Sequence, residues 1–376
     1  MQYTKFGKTG VDLSKLGFGA MRLPSRMVDG KTVYDEDEGM RILRRAYELG
    51  VNYFDTAPYY CDKVSEVIVG KALKPFRDKV YISTKNPIEN ASGDDFEKRL
   101  EASLGNLSTD YIDFYHMWGI SLEGFVNEID VKDGPLDRAK RLKEQGVIRH
   151  ISFSFHDKSE NMIEIIKRSD GVFESVLCQY NLLDRSNEEA IAFADEQGLG
   201  VVIMGPVGGG RLGAPSKTIQ SLLPGKVYSS PELALRFVLS NPHVSVALSG
   251  MSSMAMVEEN CLITERAVPL TAEDDILIKA AMEENKRLEE LYCTGCNYCM
   301  PCPQEVNIPE IFKMMNYHRV YNLTDYAKAE YAEIGKNEWK NYKSAEACAD
   351  CGLCEQKCPQ KLKIREQLKQ THETLS

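Results

Sequence analysis

The chain has 376 residues and a formal net charge of −10 at pH 7, with 43% hydrophobic and 27% charged residues. This composition is that of an ordinary globular protein, and the length allows one large domain and a small one. The negative charge argues against nucleic acid as a partner. No apolar run approaches the ~20 residues that a membrane span needs, and the N-terminus lacks the apolar core of a signal peptide. We therefore expect a cytoplasmic protein with no membrane partner.

Strands and helices alternate through the first two thirds of the chain. After a hairpin over residues 2–14, strands are predicted at 16–23, 51–57, 80–85, 111–118, 150–154, 175–180, 200–206 and 244–250. Helices are predicted between and after them at 36–49, 64–73, 94–107, 136–145, 160–168, 187–197, 231–240 and 253–264. Such alternation implies parallel strands, and eight units fit an α/β fold of the (β/α)₈ TIM barrel type. A doubly wound open sheet is the alternative.

The cysteines mark a second domain. Eleven are present, and eight of them lie between residues 293 and 358. We therefore predict a barrel over residues 1–270 and a small, mainly helical region over 271–376. Within that region, helices are expected at 272–291 and 309–331. The basic, polar tail after residue 358 is expected to have no core of its own.

Two cysteine runs carry the strongest motif. One joins Cys293, Cys296, Cys299 and Cys302, and the other joins Cys348, Cys351, Cys354 and Cys358. The second matches the C-x2-C-x2-C-x3-C-P pattern of iron–sulfur proteins, and the first is one residue shorter before its last cysteine. Two runs imply two [4Fe–4S] clusters and an electron-transfer role. Zinc, whose sites typically use two separated pairs of ligands, fits less well, and disulfides are not expected without a secretion signal.

In two-cluster ferredoxins the fourth cysteine of each run binds the other cluster. By that rule one cluster has the ligands Cys293, Cys296, Cys299 and Cys358. The other has the ligands Cys348, Cys351, Cys354 and Cys302.

Two strand ends in the predicted barrel carry charged side chains. The stretch Val51–Tyr60 predicts a buried strand that ends at Asp55 and leads into a turn with Tyr60 on it. The next strand ends at Lys85. Strand ends of this kind converge on the C-terminal face of a barrel, where catalysis occurs. We expect the ammonium to lower the phenol pKa and the carboxylate to hold the ammonium, forming a tuned proton donor. The alternative is a plain buried ion pair.

The long connection Val207–Ser230, which follows the seventh predicted strand, is rich in glycine. It contains Gly208, Gly209 and Gly210, which suit close approach of backbone amides to a phosphate. No GxGxxG follows the first strand, so a Rossmann nucleotide site is excluded.

Six motifs together resemble the aldo-keto reductases, in the order of that family: DTAPYY (55–60), SE (65–66), YISTK (81–85), YIDFY (111–115), GVIRHISFS (146–154) and QYNLLDR (179–185). The C-terminal region resembles the ferredoxin-type extension of a microbial branch of that family. The resemblance implies an NAD(P)H-dependent oxidoreductase acting on a small carbonyl or alcohol substrate. In it, Tyr60 donates the proton and Lys85 and Asp55 tune it.

The resemblance also implies a nucleotide site. Ser154 and Gln179 are expected to bind the carboxamide, although ordinary polar strand-end residues are the alternative for this pair. The expected nucleotide-binding residues are Ser154, Gln179, Met204, Gly205, Pro206, Gly208, Gly210 and Asn260.

The sequence departs from the family pattern in three places. The family's histidine aligns with Trp118, while His116 shares its strand face one layer deeper and is either a second catalytic candidate or a core histidine. Met204 stands where an aromatic ring usually stacks on the nicotinamide. The segment 249–260 lacks the basic residues that hold an NADP 2′-phosphate, so the choice between NAD and NADP stays open.

Two hypotheses for the whole chain remain. The first is a carbonyl oxidoreductase with an electron-transfer tail and an electron-transfer partner. The second is a redox-responsive or electron-carrier iron–sulfur protein that uses an altered barrel as a scaffold.

Overall fold

A computed structural model describes residues 1–28, 31–208, 212, 222–223, 227–290, 299–319, 321–336, 340–358 and 362–376. The chain forms two compact units. The barrel unit comprises Met1–Gly209 and Ala234–Leu270, and the C-terminal unit comprises Gly210–Leu233 and Thr271–Ser376.

Eight parallel strands of the barrel unit form a closed barrel, which confirms the predicted fold over an open sheet. In chain order the barrel strands are β3 (Leu16–Gly19), β6 (Tyr53–Asp55), β7 (Tyr81–Pro87), β8 (Ile112–Ile120), β9 (Ile148–Phe155), β10 (Ser175–Gln179), β11 (Gly200–Met204) and β12 (Val246–Gly250). The first strand is shorter than predicted, because the chain leaves it at Gly19 for a 3₁₀ turn over Ala20–Arg22. A second hairpin, β4 (Ser25–Val28) with β5 (Lys31–Tyr34), was not predicted.

In the described part of the chain, eight helices accompany the barrel strands, each close to its predicted range. They are α1 (Glu36–Glu48), α2 (Ser65–Leu73), α3 (Gly93–Leu107), α4 (Pro135–Glu144), α5 (Ser159–Arg168), α6 (Glu188–Glu196), α7 (Ser230–Ser240) and α8 (Met254–Arg266). Side chains cap several of them: Asp35 accepts from the backbone of Glu38 at 3.0 Å, and Ser92 from that of Asp95 at 3.2 Å. Such caps satisfy backbone donors that a helix start leaves unpaired.

The N-terminal hairpin, β1 (Tyr3–Lys5) with β2 (Asp12–Ser14), contributes to the barrel core. Phe6 and Leu13 are fully buried and pack with apolar side chains from the barrel strands. The Phe6 ring meets that of Phe114 edge-on at 5.0 Å. A Cβ atom at Gly200 would lie 2.4 Å from the Phe6 ring, so β11 begins with a residue that has no side chain.

The C-terminal unit is mainly helical, as predicted, but two details of the prediction are wrong. The single helix expected over 309–331 is two helices, α10 (Ile308–Arg319) and α11 (Thr324–Ala332). They follow α9 (Ala272–Glu290). The chain between them includes Asn322 in the left-handed region, with φ of 52°, where a helix cannot continue.

The tail has a core after all. Helix α12 (Ile364–Leu375) buries Ile364, Leu368 and Leu375, which lie on one face of the helix. Its His372 lies 2.9 Å from the Tyr331 hydroxyl, which in turn accepts a hydrogen bond from the Ala345 backbone. The polar composition of the tail conceals this narrow apolar face. Among the helices of the described residues, none has both the length and the apolarity needed to cross a membrane.

A buried ion pair joins several elements near the N-terminal ends of β7 and β8. Arg77 lies 2.7 Å from the carboxylate of Asp113 and also donates to Thr109, Val80 and Tyr111. Burial raises the pKa of Asp113, and the Arg77 charge opposes that shift. The carboxylate therefore depends on its guanidinium partner.

We predict that Arg77→Met lowers the free energy of unfolding by about 3–5 kcal/mol, because it leaves Asp113 buried without its partner. Arg149 is the matched control: it is half exposed and lies 3.9 Å from the same carboxylate. Arg149→Met should cost no more than about 1 kcal/mol. Urea unfolding followed by circular dichroism measures both, and equal losses would contradict the assignment.

Candidate active site

The centre of the site is a buried ion pair between two neighbouring strands. The register places Asp55, the last residue of β6, beside Ser83 of β7. Lys85 lies two residues further along, on the same face. Its Nζ donates to Asp55 Oδ2 at 2.6 Å, to Oδ1 at 2.8 Å and to the Thr56 carbonyl at 2.8 Å. The Ser83 hydroxyl also donates to Asp55 at 2.8 Å. Both charged side chains are 2% exposed.

Tyr60 lies beside this pair, on the loop after β6. The Lys85 ammonium is 4.8 Å from the centre of the Tyr60 ring. Burial raises the pKa of Tyr60, and the Lys85 charge opposes that shift without cancelling it. The expected lowering of the phenol pKa by Lys85 is therefore present, but the net shift is upward. The structure brings Asp55, Tyr60 and Lys85 together, as the sequence predicts.

The loop that carries Tyr60 has an unusual backbone. Cys61, Asp62 and Lys63 all have positive φ, at 53°, 50° and 72°. Each non-glycine residue in this region costs about 1 kcal/mol or more. The amides of Lys63 and Ser65 both donate to the Tyr60 carbonyl, at 3.1 and 3.3 Å. The strained turn thus places Tyr60 between strand and helix.

The start of α2 anchors the same loop. The Ser65 hydroxyl lies 2.7 Å from that of Thr56 and donates to the Ala20 carbonyl at 2.8 Å. The buried carboxylate of Glu66 accepts from Thr84 at 2.6 Å and from Asn106 at 2.9 Å. The Ser65–Glu66 motif therefore has a positioning function beside the site.

Trp118 forms an aromatic wall next to Tyr60. Its ring meets that of Tyr60 edge-on at 5.8 Å and that of Tyr59 at 5.6 Å. The Tyr59 hydroxyl donates to Glu89 at 3.1 Å and accepts from Arg99 at 3.3 Å. Arg99 also contacts Glu89 at 2.6 Å. This polar cluster holds Tyr59, and through it Trp118, beside the candidate proton donor.

His116 lies one layer deeper than Trp118, as the strand alternation predicts. Its side chain is fully buried, and its Nε2 lies 3.5 Å from the Tyr53 hydroxyl. Burial, with a further contribution from Lys85, lowers its pKa to about 3. The imidazole is therefore neutral throughout the physiological range, and its burial favours the core-histidine alternative.

Sequence reasoning does not single out His156, because it lies just past the end of β9. A Cβ atom at Gly119 would lie 3.8 Å from its Cδ2. Gly119 has φ of 62° and lies in an irregular stretch of β8, where the pairing with β9 shifts register between Met117 and Ile120. His156 is exposed to solvent, yet partial burial of its ring and the charge of Lys85 lower its pKa.

Two of the predicted nucleotide-binding side chains lie at neighbouring strand ends. Ser154 of β9 is almost fully buried, and its Oγ accepts from the Gly119 amide at 2.8 Å. Gln179 ends β10, and its amide group lies against Gly205, where a Cβ atom would be 2.7 Å from Oε1. A hydroxyl and an amide on neighbouring strands suit a carboxamide, which needs both a donor and an acceptor.

The turn after β11 holds the next group of predicted residues. Gly205 and Gly208 both have positive φ, at 63° and 61°, and the Gly208 amide donates to the Gly205 carbonyl at 2.8 Å. Asn181 also donates to that carbonyl, at 3.0 Å. Pro206 is buried between them, while Met204 packs against the apolar barrel interior. Gly210 lies outside the described residues.

The segment after β12 has a cationic neighbour that its own sequence does not show. A Cβ atom at Gly250 would lie 3.9 Å from Cδ of Arg22, which comes from the turn after β3. β3 and β12 pair in the closed barrel. Asn260 of α8 is buried and donates to Ser249 at 3.1 Å. The side chain of Asn260, one of the predicted nucleotide-binding residues, therefore has a hydrogen-bond partner within the protein.

Five of the six described cluster cysteines line one cavity of the C-terminal unit. It is lined by Cys299, Cys302, Cys348, Cys351 and Cys354. This set includes all four ligands predicted for one cluster. Among the described residues, no three His, Cys, Asp or Glu side chains are arranged to hold a single metal ion. The ligands of a cubane cluster each bind a different iron and stand further apart, so a thiol-lined cavity fits such a cluster better. Cys293 and Cys296 lie outside the described residues, and Cys358 does not line the cavity.

Comparison with known proteins agrees with both units. The aldo/keto reductase family matches residues 15–282, and a 4Fe-4S dicluster domain matches residues 292–362. An L-galactose dehydrogenase of Arabidopsis thaliana is 30% identical over 312 residues, covering 75% of this chain and 94% of that protein. An uncharacterized oxidoreductase of Bacillus subtilis, YqkF, is 28% identical over 76% of this chain and 97% of its own length.

The structure of the aldo-keto reductase AKR11C1 from Bacillus halodurans, in its holo form, is also similar. It superposes with a TM-score of 0.64 at 30% identity and covers 74% of this chain and 96% of that one. The chain therefore belongs to the aldo/keto reductase family, and it is an oxidoreductase with a C-terminal 4Fe-4S dicluster domain.

Proposed function

We propose that the protein is an NAD(P)H-dependent oxidoreductase of a small carbonyl or alcohol substrate, with Tyr60 as the general acid. The observation that carries this proposal is the buried Lys85 ammonium, bonded to Asp55 at 2.6 Å and lying 4.8 Å from the Tyr60 ring. When bound, the nicotinamide supplies a hydride to the carbonyl carbon. Tyr60 delivers the proton to the carbonyl oxygen, and Ser154 and Gln179 orient the carboxamide.

The charges of the three residues suit this role. Burial disfavours the Lys85 ammonium, but Asp55 and Tyr60 outweigh it, so the pKa of Lys85 is raised and the group stays charged. Burial also raises the pKa of Asp55, while Lys85 and Ser83 favour its carboxylate. Because the pKa of Tyr60 is raised, the phenol keeps its proton at neutral pH. Reduction should therefore decline only as the pH rises through that raised pKa.

We predict that Tyr60→Phe lowers the rate of carbonyl reduction by about 10²–10⁴, the usual contribution of a positioned proton donor. Nucleotide affinity should be nearly unchanged, because the ring is kept. The matched control is Tyr59→Phe, whose hydroxyl bonds only to the rim residues Glu89 and Arg99 among the contacts described. Steady-state kinetics across the pH range measure both variants. Unchanged turnover in Tyr60→Phe would exclude it as the acid.

A carbonyl screen and nucleotide titration of the wild type separate the two hypotheses for the whole chain. An altered barrel is favoured by Trp118, whose half-buried ring lies against Tyr60. If wild type reduces no carbonyl in a broad screen and binds neither nucleotide, the chain acts as a redox-responsive or electron-carrier protein. The intact Asp55–Lys85 pair favours the oxidoreductase. The name of the Arabidopsis relative makes sugars a first group to include in the screen.

We predict that NADH binds at least as tightly as NADPH. Gly250, Met251 and Met256 carry no charge, so a 2′-phosphate gains no charge-assisted bond from them. Anaerobic fluorescence titration with each nucleotide measures the preference. A preference for NADPH of about a hundredfold, worth about 2.7 kcal/mol, would contradict the prediction. Loss of such a preference in Arg22→Gln would then assign the phosphate contact to Arg22, which lies against Gly250.

The C-terminal unit is proposed to hold two [4Fe–4S] clusters with a redox role. One cavity is lined by Cys299 and by the four cysteines predicted for one cluster, Cys302, Cys348, Cys351 and Cys354, and this grouping favours a cluster there. The other would have the ligands Cys293, Cys296, Cys299 and Cys358. A hydride carries two electrons, whereas a cluster passes one at a time. We therefore propose that the clusters exchange electrons with an external electron-transfer partner.

We predict that anaerobically purified protein is brown and contains about eight irons per chain. Cys351→Ser should lose about half of this iron, because it removes a ligand of one cluster. The control is Cys178→Ala, a buried cysteine of β10 in the barrel, which should keep the full iron content. Iron analysis and electron paramagnetic resonance of the reduced protein measure the outcome. Full iron in Cys351→Ser would contradict the ligand assignment.

A further inference from the structure

We propose that His156 is a second hydrogen-bond donor to the substrate oxygen, placed at the barrel mouth by β9. This role rests on the proposed carbonyl reduction. As the carbonyl carbon accepts a hydride, its oxygen gains negative charge and takes the proton of Tyr60. His156 donates an N–H hydrogen bond to that oxygen and keeps its own proton. The two donors act on the same developing charge from different strand ends.

The strand pattern directs His156 into the mouth. Ser152 and Ser154 of β9 are both buried on the inner face, and Ser152 pairs with His116 of β8. Side chains alternate along a strand, so a residue two positions after Ser154 lies on the same face. That residue is His156, one layer above Ser154 and nearer to solvent.

The irregularity in β8 makes room for the imidazole. Gly119 follows Trp118, and a Cβ atom at this glycine would lie 3.8 Å from the His156 ring. The same glycine donates its amide to Ser154 at 2.8 Å. Trp118, Gly119, Ser154 and His156 are therefore neighbours around one position in the mouth. Trp118 also contacts the Tyr60 ring, which places the cluster beside the candidate acid.

The charge state of His156 suits a donor that keeps its proton. Partial burial and the ammonium of Lys85 lower its pKa, so the imidazole is neutral at physiological pH. A neutral imidazole has one N–H donor. The Lys85 ammonium is thus one of the charges that act on the imidazole. The exposed face of the ring remains available to a substrate.

The other five histidines of the chain are engaged elsewhere. His116 is sealed below the mouth. His150 bonds to Glu174 and His243 to Asp195, each at 2.9 Å. His318 and His372 each bond to a side chain of their own unit, Thr324 and Tyr331, at 2.9 Å. All six histidines lie in the described part of the chain, so His156 is the imidazole that the barrel mouth offers to a substrate.

The test compares His156→Phe with His156→Gln. Phenylalanine keeps a ring and removes the donor, and it should lower kcat about 10²-fold, with a smaller change in KM, as for other donors to a developing oxyanion. Glutamine keeps an N–H and should stay within about tenfold of wild type. Lys158→Gln, an exposed position two residues on, is the control and should match wild type. NADH affinity should be the same in all four proteins, which verifies folding.

Two failures are distinguishable. Wild type that reduces no carbonyl overturns the proposed function, and the role of His156 with it. Wild-type activity that His156→Phe leaves unchanged overturns only the role of His156. Equal losses in the phenylalanine and glutamine variants also overturn it, because glutamine keeps an N–H donor and phenylalanine does not. Such a result would show that the position requires the shape of histidine rather than a hydrogen-bond donor.

Discussion

The structure of the site depends on the burial of two opposite charges, Asp55 and Lys85, at the end of two neighbouring strands. Removing each ion from water costs several kcal/mol, which is recovered only when the geometry and the hydrogen bonds are good. The carboxylate meets this condition through Lys85 and Ser83, and the ammonium through Asp55 and the Thr56 carbonyl. A slip of one residue between β6 and β7 would turn Lys85 to the opposite face. The charge pair thus constrains the register of the barrel where Tyr60 leaves it.

The need to keep Tyr60 beside the buried Asp55–Lys85 pair also accounts for the backbone strain in the loop after Tyr60. Three successive left-handed residues after Tyr60 cost free energy, and the hydrogen bonds of Ser65 and Glu66 offset that cost. The strained turn and these hydrogen bonds together position Tyr60, the candidate proton donor, and α2 contributes to the site through Ser65 and Glu66.

Periodicity and strand-end chemistry predicted the barrel, its eight helices and the meeting of Asp55, Tyr60 and Lys85, because these follow from local pattern and parallel pairing. The features that the sequence did not predict depend on the closure of the barrel or on irregular strand pairing. Arg22 meets Gly250 only because the first and last barrel strands pair. His156 lies just past the end of β9, beside a shift of register in β8 that the sequence does not show. The net upward shift in the pKa of Tyr60 depends on burial by the folded chain, which no motif reports.

The cysteine cavity brings together two parts of the C-terminal unit, much as the Asp55–Lys85 pair fixes the register of two strands. Cys302 precedes α10, whereas Cys348, Cys351 and Cys354 follow α11, yet all four line one cavity. A cluster bound there would join both ends of this helical segment. An unfolded chain rarely contains a preformed site for a cluster, so the free energy of binding would also contribute to the free energy of folding. A structural contribution and an electron-transfer role are therefore compatible. A change in the oxidation state of such a cluster would act on the cysteine–iron bonds that join the two ends of this segment.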